Sequence, residues 1–169
     1  QKTAYEIGQW LEFRRVLFRS METQYDIEQV KSLATTVSDE KNMAASVSSG
    51  THKVNGMIVA PCSMKTLSSI ANGYDETLVA RAAGVTIKEA RKLVLMVRET
   101  PFSAIHLENM LKLARIGVVI LPPVTEFYTK PESIDQIINH GVGKCLDQFD
   151  LEHDLYPRWG SNWRLVAII

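Results

Sequence analysis

The chain has no surplus charge of either sign: 19 lysines and arginines stand against 19 aspartates and glutamates in 169 residues. Nucleic acid is thereby excluded as the main partner, because gripping a phosphate backbone needs a positive excess. A small basic pocket for one phosphate is not excluded. Long hydrophobic runs are also missing. Nothing approaches the ~20 apolar residues that cross a bilayer, and the terminal run Leu165 to Ile169 is far shorter. Together these predict neither a nucleic-acid nor a membrane partner. No apolar segment with a small-residue cleavage site marks a secretory signal. Cysteine is scarce. Cys62 and Cys145 lie far apart, and the four histidines (His52, His106, His140, His153) form no HExxH. That argues against a metal site and fits two reduced thiols in a cytoplasmic protein. What the chain does hold is apolar sequence, 46% of it. That fits a globular protein, and 169 residues are enough for one α/β domain with a sizeable core and too few for two ordinary domains.

Three short, β-branched runs read as buried parallel strands: Gly56 to Pro61, Lys92 to Val97 and Gly117 to Pro122. Each is short and nearly all apolar, with glycine or proline expected at its bounds, as strands covered on both faces are. Helical spacing lies between them. Ser63 suits an N-cap for Met64 to Ala71, ending at Asn72-Gly73. Leu78 to Ala83 predicts a helix stopping before Gly84, with Lys88 in the following connection. Ser103 caps Ala104 to Ile116, whose Ile105, Leu107, Met110, Leu111 and Leu113 fall mainly on one face. Ser133 to Phe149 makes the last long helix. Alternating strands and helices imply crossover units, hence a Rossmann-like three-layer α/β domain with a parallel sheet.

Ligands in such sheets sit beyond the carboxyl ends of the strands. After the first strand, Cys62-Ser63-Met64-Lys65-Thr66 turns straight into a helix, whose free N–H groups and partial positive charge favour an anion or a flavin's polar edge. The plain alternative is an ordinary N-cap. After the second strand, Arg98-Glu99 puts a phosphate-grade donor beside an acid or base, or else forms a local ion pair. After the third strand, Pro122-Pro123 leads to Glu126-Phe127-Tyr128. Tyr128 can donate to a phosphate, or fill the core. Lys88 and Lys144 are further cations, or solvated surface lysines. The residues alone predict a pocket for an anionic, partly aromatic ligand and do not say which one.

The run Gly56-Met57-Ile58-Val59-Ala60-Pro61-Cys62-Ser63-Met64-Lys65-Thr66-Leu67 resembles the flavin prenyltransferases of UbiX type. So do Arg98-Glu99-Thr100-Pro101 with Ile105 to Met110, Ile120-Leu121-Pro122-Pro123 with Phe127-Tyr128, Glu152-His153-Asp154-Leu155 with Arg158-Trp159, and the upstream Ala44 to Gly50. The resemblance covers about residues 21–160, in order. It implies an enzyme that joins a dimethylallyl group from dimethylallyl phosphate to N5 and C6 of reduced FMN, without a metal. The prenylated flavin would pass to a UbiD-type decarboxylase, in quinone synthesis or aromatic-acid breakdown. It further implies a homo-oligomer with sites at subunit interfaces. By the same resemblance Ser63, Met64, Lys65, Thr66 and Arg98 contact the flavin, and Lys88, Glu99, Tyr128 and Lys144 grip the prenyl phosphate. Glu99 and Glu22 are the implied catalytic acids or bases. Many relatives have arginine at Lys144, so a bidentate grip on phosphate is expected to be weaker here.

Relatives open with a strand and a Gly-Ala-Ser-Gly type loop that touches the flavin. Residues 1–20 contain neither, and Trp10 to Arg19 reads as sequence foreign to the family, joined near Ser20. The tail 161–169 also departs from the pattern. A sheet without that strand exposes unpaired backbone groups, and loss of the loop's donors predicts impaired activity. The competing readings are a non-catalytic FMN-binding or assembly subunit of a decarboxylase system, a truncated inactive homologue, and a flavin-dependent cysteine decarboxylase. The last lacks any matching histidine and substrate-clamp motif here.

Overall fold

The structure, a computed structural model, describes residues 25–158. The segment 1–20, Glu22 and the tail 161–169 lie outside the described residues. The chain divides into two compact units, Gln1–Pro122 and Pro123–Ile169.

The first unit carries the sheet. Helix α1 (Ile27–Ser32) opens on a capping box between Asp26 and Gln29, and a 3-10 turn spans Ser46–Ser48. Then come β1 (Gly56–Cys62), α2 (Met64–Ala71), α3 (Leu78–Lys88), β2 (Lys92–Val97), α4 (Ala104–Ala114) and β3 (Val119–Ile120). The strands pair in parallel in the order β1-β2-β3. Val59, Leu93, Leu95, Leu67 and Leu113 are fully buried where helices close over the sheet. Each such side chain contributes roughly 1.5–3 kcal/mol through apolar burial. The expected Rossmann-like three-layer arrangement is the one observed.

The boundaries differ in three instructive places. β3 is only Val119–Ile120 rather than Gly117 to Pro122. Gly117 sits at φ +87° and Val118 N–H turns back to the Leu113 carbonyl, so the chain is still leaving α4 there. Leu121 N–H adds one more bond to Leu95 O at 2.9 Å. Pro122 and Pro123, with no N–H to give, stop the ladder.

Helix α3 does not stop before Gly84; it runs to Lys88, with Thr77 as N-cap. Gly84 is tolerated because its bare Cα faces Asp75, whose Oδ1 would lie 3.3 Å from an added Cβ. Lys88 is therefore the last helical residue and not part of a connection.

Helix α4 buries only Met110 and Leu113, while Ile105, Leu107 and Leu111 are at least half exposed. Its apolar spacing was wider than the single row that meets the sheet.

The second unit holds α5 (Ile134–Asp147), capped by Ser133, whose Oγ accepts from Gln136 N–H at 3.3 Å. It buries His140, Gly143, Cys145 and Leu146. No helix among the described residues is long and apolar enough to cross a membrane.

Candidate active site

The carboxyl ends of β1 and β2 meet as the sequence predicts. Register runs Val59↔Leu95 and then Cys62↔Val97, so β1 carries one extra residue at Ala60-Pro61, where proline cannot donate to the ladder. Arg98 N–H then bonds Cys62 O at 3.2 Å. This places the Ser63 turn beside Arg98. Ser63 Oγ accepts from Thr66 N–H at 3.3 Å and lies 3.1 Å from the Thr66 hydroxyl, which is buried. The N-cap reading is thus correct in itself, and the first turn of α2 carries no acidic residue to repel an anion. Met64 packs against the core. Lys65 is exposed and 3.8 Å from Glu76.

Arg98 and Glu99 do not form the local ion pair that was their plain alternative. Glu99 Oε1 accepts from Thr100 N–H at 3.1 Å, and the exposed Arg98 guanidinium has no ion-pair partner among the described residues. Two cationic or acidic groups at a strand end are left open for a ligand.

Lys88 is not brought to this end. It precedes β2 while Arg98 follows it, and a six-residue strand at ~3.3 Å per residue separates them by about 20 Å. At the amino end Lys88 Nζ lies 2.6 Å from Glu89 Oε1, which holds the Glu89 carboxyl below its usual range. Arg91 there binds the carbonyls of Gly50 (2.7 Å) and His52 (2.8 Å). A Cβ on Gly50 would sit 2.2 Å from Glu89 Oε1, so the flexible Glu89 side chain would have to move aside for one.

In the second unit, Tyr128 and Lys144 line one cavity of about 530 Å³. Tyr128 is 63% exposed, so it is not an aromatic filler. Its hydrogen bond to Glu126, with some burial, raises its phenol above the usual range. Lys144 has no ion-pair partner among the described residues. Asp147, Tyr156, Arg158, Glu126 and His140 share that cavity and were not singled out from the sequence as site residues. His140 Nε2 lies 3.1 Å from Glu126 Oε2, and the His140 ring stacks on Tyr156 at 4.3 Å with 7° between planes. Asp147 takes Arg158 Nη2 at 2.7 Å, His153 Nε2 at 3.1 Å and the Tyr156 hydroxyl. Burial pushes the Asp147 carboxyl up, but those three hydrogen bonds and the Arg158 charge outweigh it and hold it at about 2. Burial, then the bond to Asp147, pushes the Tyr156 phenol up to about 12. One signal was available: Lys144 and Asp147 are one turn apart on the same helix face.

A family model described as Flavoprotein matches residues 4–147. The chain belongs to the Flavoprotein family. Within it, a probable UbiX-like flavin prenyltransferase of Sedimentibacter hydroxybenzoicus is 52% identical over 139 residues, 82% of this chain and 74% of the relative. A mitochondrial flavin prenyltransferase of Saccharomyces cerevisiae is 50% identical over 138 residues, 82% of this chain and 57% of the relative. A solved UbiX structure in complex with FMN and dimethylallyl pyrophosphate superimposes with TM-score 0.86 at 46% identity, covering 91% of this chain and 82% of that one. A dodecameric, FMN-dependent UbiX-like decarboxylase from Escherichia coli O157:H7 gives TM-score 0.85 at 47% identity, covering 89% and 82%. This family member is thus a flavoprotein of the flavin prenyltransferase kind, and the assembly-subunit and inactive-homologue readings are not favoured. Among the described residues, no group of three or more metal-ligating side chains gathers.

Proposed function

We propose that this chain transfers the dimethylallyl group of dimethylallyl phosphate to reduced FMN, and that a UbiD-type decarboxylase receives the product. The C–O bond of the prenyl phosphate breaks and inorganic phosphate leaves with the bonding pair; the two ends of the allyl unit bond to N5 and C6, whose protons are lost, one returning to the carbon between those ends and one going to the phosphate. Reduced FMN, when bound, supplies the electron-rich acceptor atoms N5 and C6. The residues at the β1 and β2 ends fit it: the α2 N-terminus offers N–H groups, Ser63 and Thr66 offer hydroxyls, and Arg98 offers an uncommitted cation.

The observation that carries the proposal is Lys144. Its ammonium makes no ion pair among the described residues, and it lines a cavity with Tyr128 on a chain half-identical to named flavin prenyltransferases. A cavity of about 530 Å³ falls in the range of small-molecule sites. Lys144 offsets the charge that grows on the departing phosphate, which lowers the barrier to its departure, and Tyr128, whose O–H donates to Glu126, lines the same cavity. Glu99, whose carboxylate accepts from the Thr100 N–H, holds or moves a proton at the β2 exit. We assign Glu22 a second acid–base role on the resemblance alone.

Self-association follows from the dodecameric relative. We assign Lys88 of a second copy to the phosphate grip on the resemblance alone, since within one chain it lies at the far end of β2 from Arg98. We place the reaction in the cytoplasm, on two buried cysteines, Cys62 and Cys145, that are not joined in a disulfide; the yeast relative is named as mitochondrial. Glu99→Gln separates a transferase from a binder. FMN affinity is expected to stay within about threefold while turnover falls by roughly 10²–10⁴. A variant that turns over like the parent removes Glu99 from the chemistry.

A further inference from the structure

Asp147 ends α5, one turn beyond Lys144, and three donors converge on its carboxylate. All three come from the segment after the helix. Leu155 N–H donates to His153 Nδ1 at 3.2 Å, so the His153 ring proton sits on Nε2 and points to Asp147. Gly143 makes this closeness possible: a Cβ there would lie 2.6 Å from both His153 Cε1 and the Tyr156 ring. The anchored Tyr156 stacks on His140, His140 meets Glu126, and Glu126 accepts from Tyr128. A continuous chain of contacts therefore runs around the cavity from Asp147 to Tyr128. Arg158, the other cation lining this cavity besides Lys144, has its charge balanced by Asp147.

We propose that Asp147 is a positioning residue for the prenyl-phosphate pocket: it ties His153, Tyr156 and Arg158 to the end of α5, and so fixes the rim that holds Tyr128 beside Lys144. The inference rests on the reading that this cavity takes the prenyl phosphate. Asp147 touches no reacting atom. Its loss should weaken ground-state and transition-state binding of the phosphate alike, which raises KM and leaves kcat. Asparagine keeps the size but replaces an acceptor with a donor and uncovers the Arg158 charge.

The test compares the full chain with Asp147→Asn, Tyr156→Phe and the double variant. Losing a charge-assisted hydrogen bond corresponds to about a tenfold rise in KM for dimethylallyl phosphate. We expect that rise in each single variant, with kcat within about threefold and FMN affinity unchanged. The double variant should be no worse than the worse single one, because both cut the same chain. An unchanged or lowered KM overturns the proposal, as does simple additivity or a lowered melting temperature with an unaltered KM. Calorimetric titration with dimethylallyl phosphate separates the two readings. If the parent binds it but does not turn over, the functional reading fails, and the Kd of Asp147→Asn decides the role of Asp147. If the parent does not bind it, both fall.

Discussion

The backbone N–H of Arg98 donates to the carbonyl of Cys62 at 3.2 Å, one step past the last register pair of β1 and β2. That bond joins two strand exits whose side chains do different work. Ser63 is satisfied internally as an N-cap, whereas the Arg98 guanidinium has no ion-pair partner among the described residues.

Arg98→Ala should therefore separate binding from stability. An exposed side chain without partners changes stability by only about 0.5 kcal/mol. A charge-assisted contact to an anionic ligand is worth about 1.5–3 kcal/mol, or roughly 10- to 150-fold in affinity. Fluorescence titration with FMN, beside a melting curve, is expected to show a large loss of affinity and an almost unmoved midpoint.

Ser63→Ala should do the reverse in part. Removing the cap of α2 costs about 1 kcal/mol of stability, read as a lowered urea midpoint, and FMN affinity falls as well if the hydroxyl also meets the flavin.

Lys144→Ala is expected to raise KM for dimethylallyl phosphate by at least about tenfold. Lys144→Arg should match or improve on the parent, since a guanidinium offers two parallel donors where an ammonium offers a point charge. Steady-state kinetics on the three proteins check this, and an arginine variant as poor as the alanine one would remove the phosphate contact.

The Asp147–Tyr156 pair sets a pH signature. Asp147 is held at about 2 against an ordinary 3.8, so its stabilisation is complete above pH ~4 and is lost as pH falls toward 2. Tyr156 is raised to about 12 against 10.0, so its contribution is complete below pH ~10 and is lost as pH rises through 12. Urea midpoints of the parent minus those of Asp147→Asn should form a plateau between those limits and decline at both edges.

Both thiols should be silent in the native protein. Cys62 is fully buried, and burial pushes the Cys145 thiol up to about 11. An aromatic disulfide reagent at pH 8 is expected to label neither cysteine natively and both in denaturant.

Much of the fold was legible because its signals are local. Ser63 and Ser103 cap the helices they were expected to cap, and β2 has the predicted bounds. What failed was tertiary. Gly84 looks like a helix stop until Asp75 is seen to need the space, and Gly117 looks like a strand start until its φ ties it to α4. The site was half legible. Residues at strand ends follow from topology, so Ser63, Arg98 and Glu99 could be located from the pattern of runs. Of Asp147 only its place one turn beyond Lys144 could be read: its partners His153, Tyr156 and Arg158 lie six to eleven residues away, and the chain's return over Gly143 brings them to one carboxylate. Lys88 was grouped with the phosphate grip by resemblance, although the predicted strand Lys92 to Val97 already stood between it and Arg98.

The most direct measurement is anaerobic incubation of the purified chain with reduced FMN and dimethylallyl phosphate, followed by mass spectrometry of the released flavin and assay of inorganic phosphate. The prediction is a flavin heavier by one dimethylallyl unit, with one phosphate released for each flavin modified. Flavin recovered at its original mass, with no phosphate released, would contradict the proposed activity.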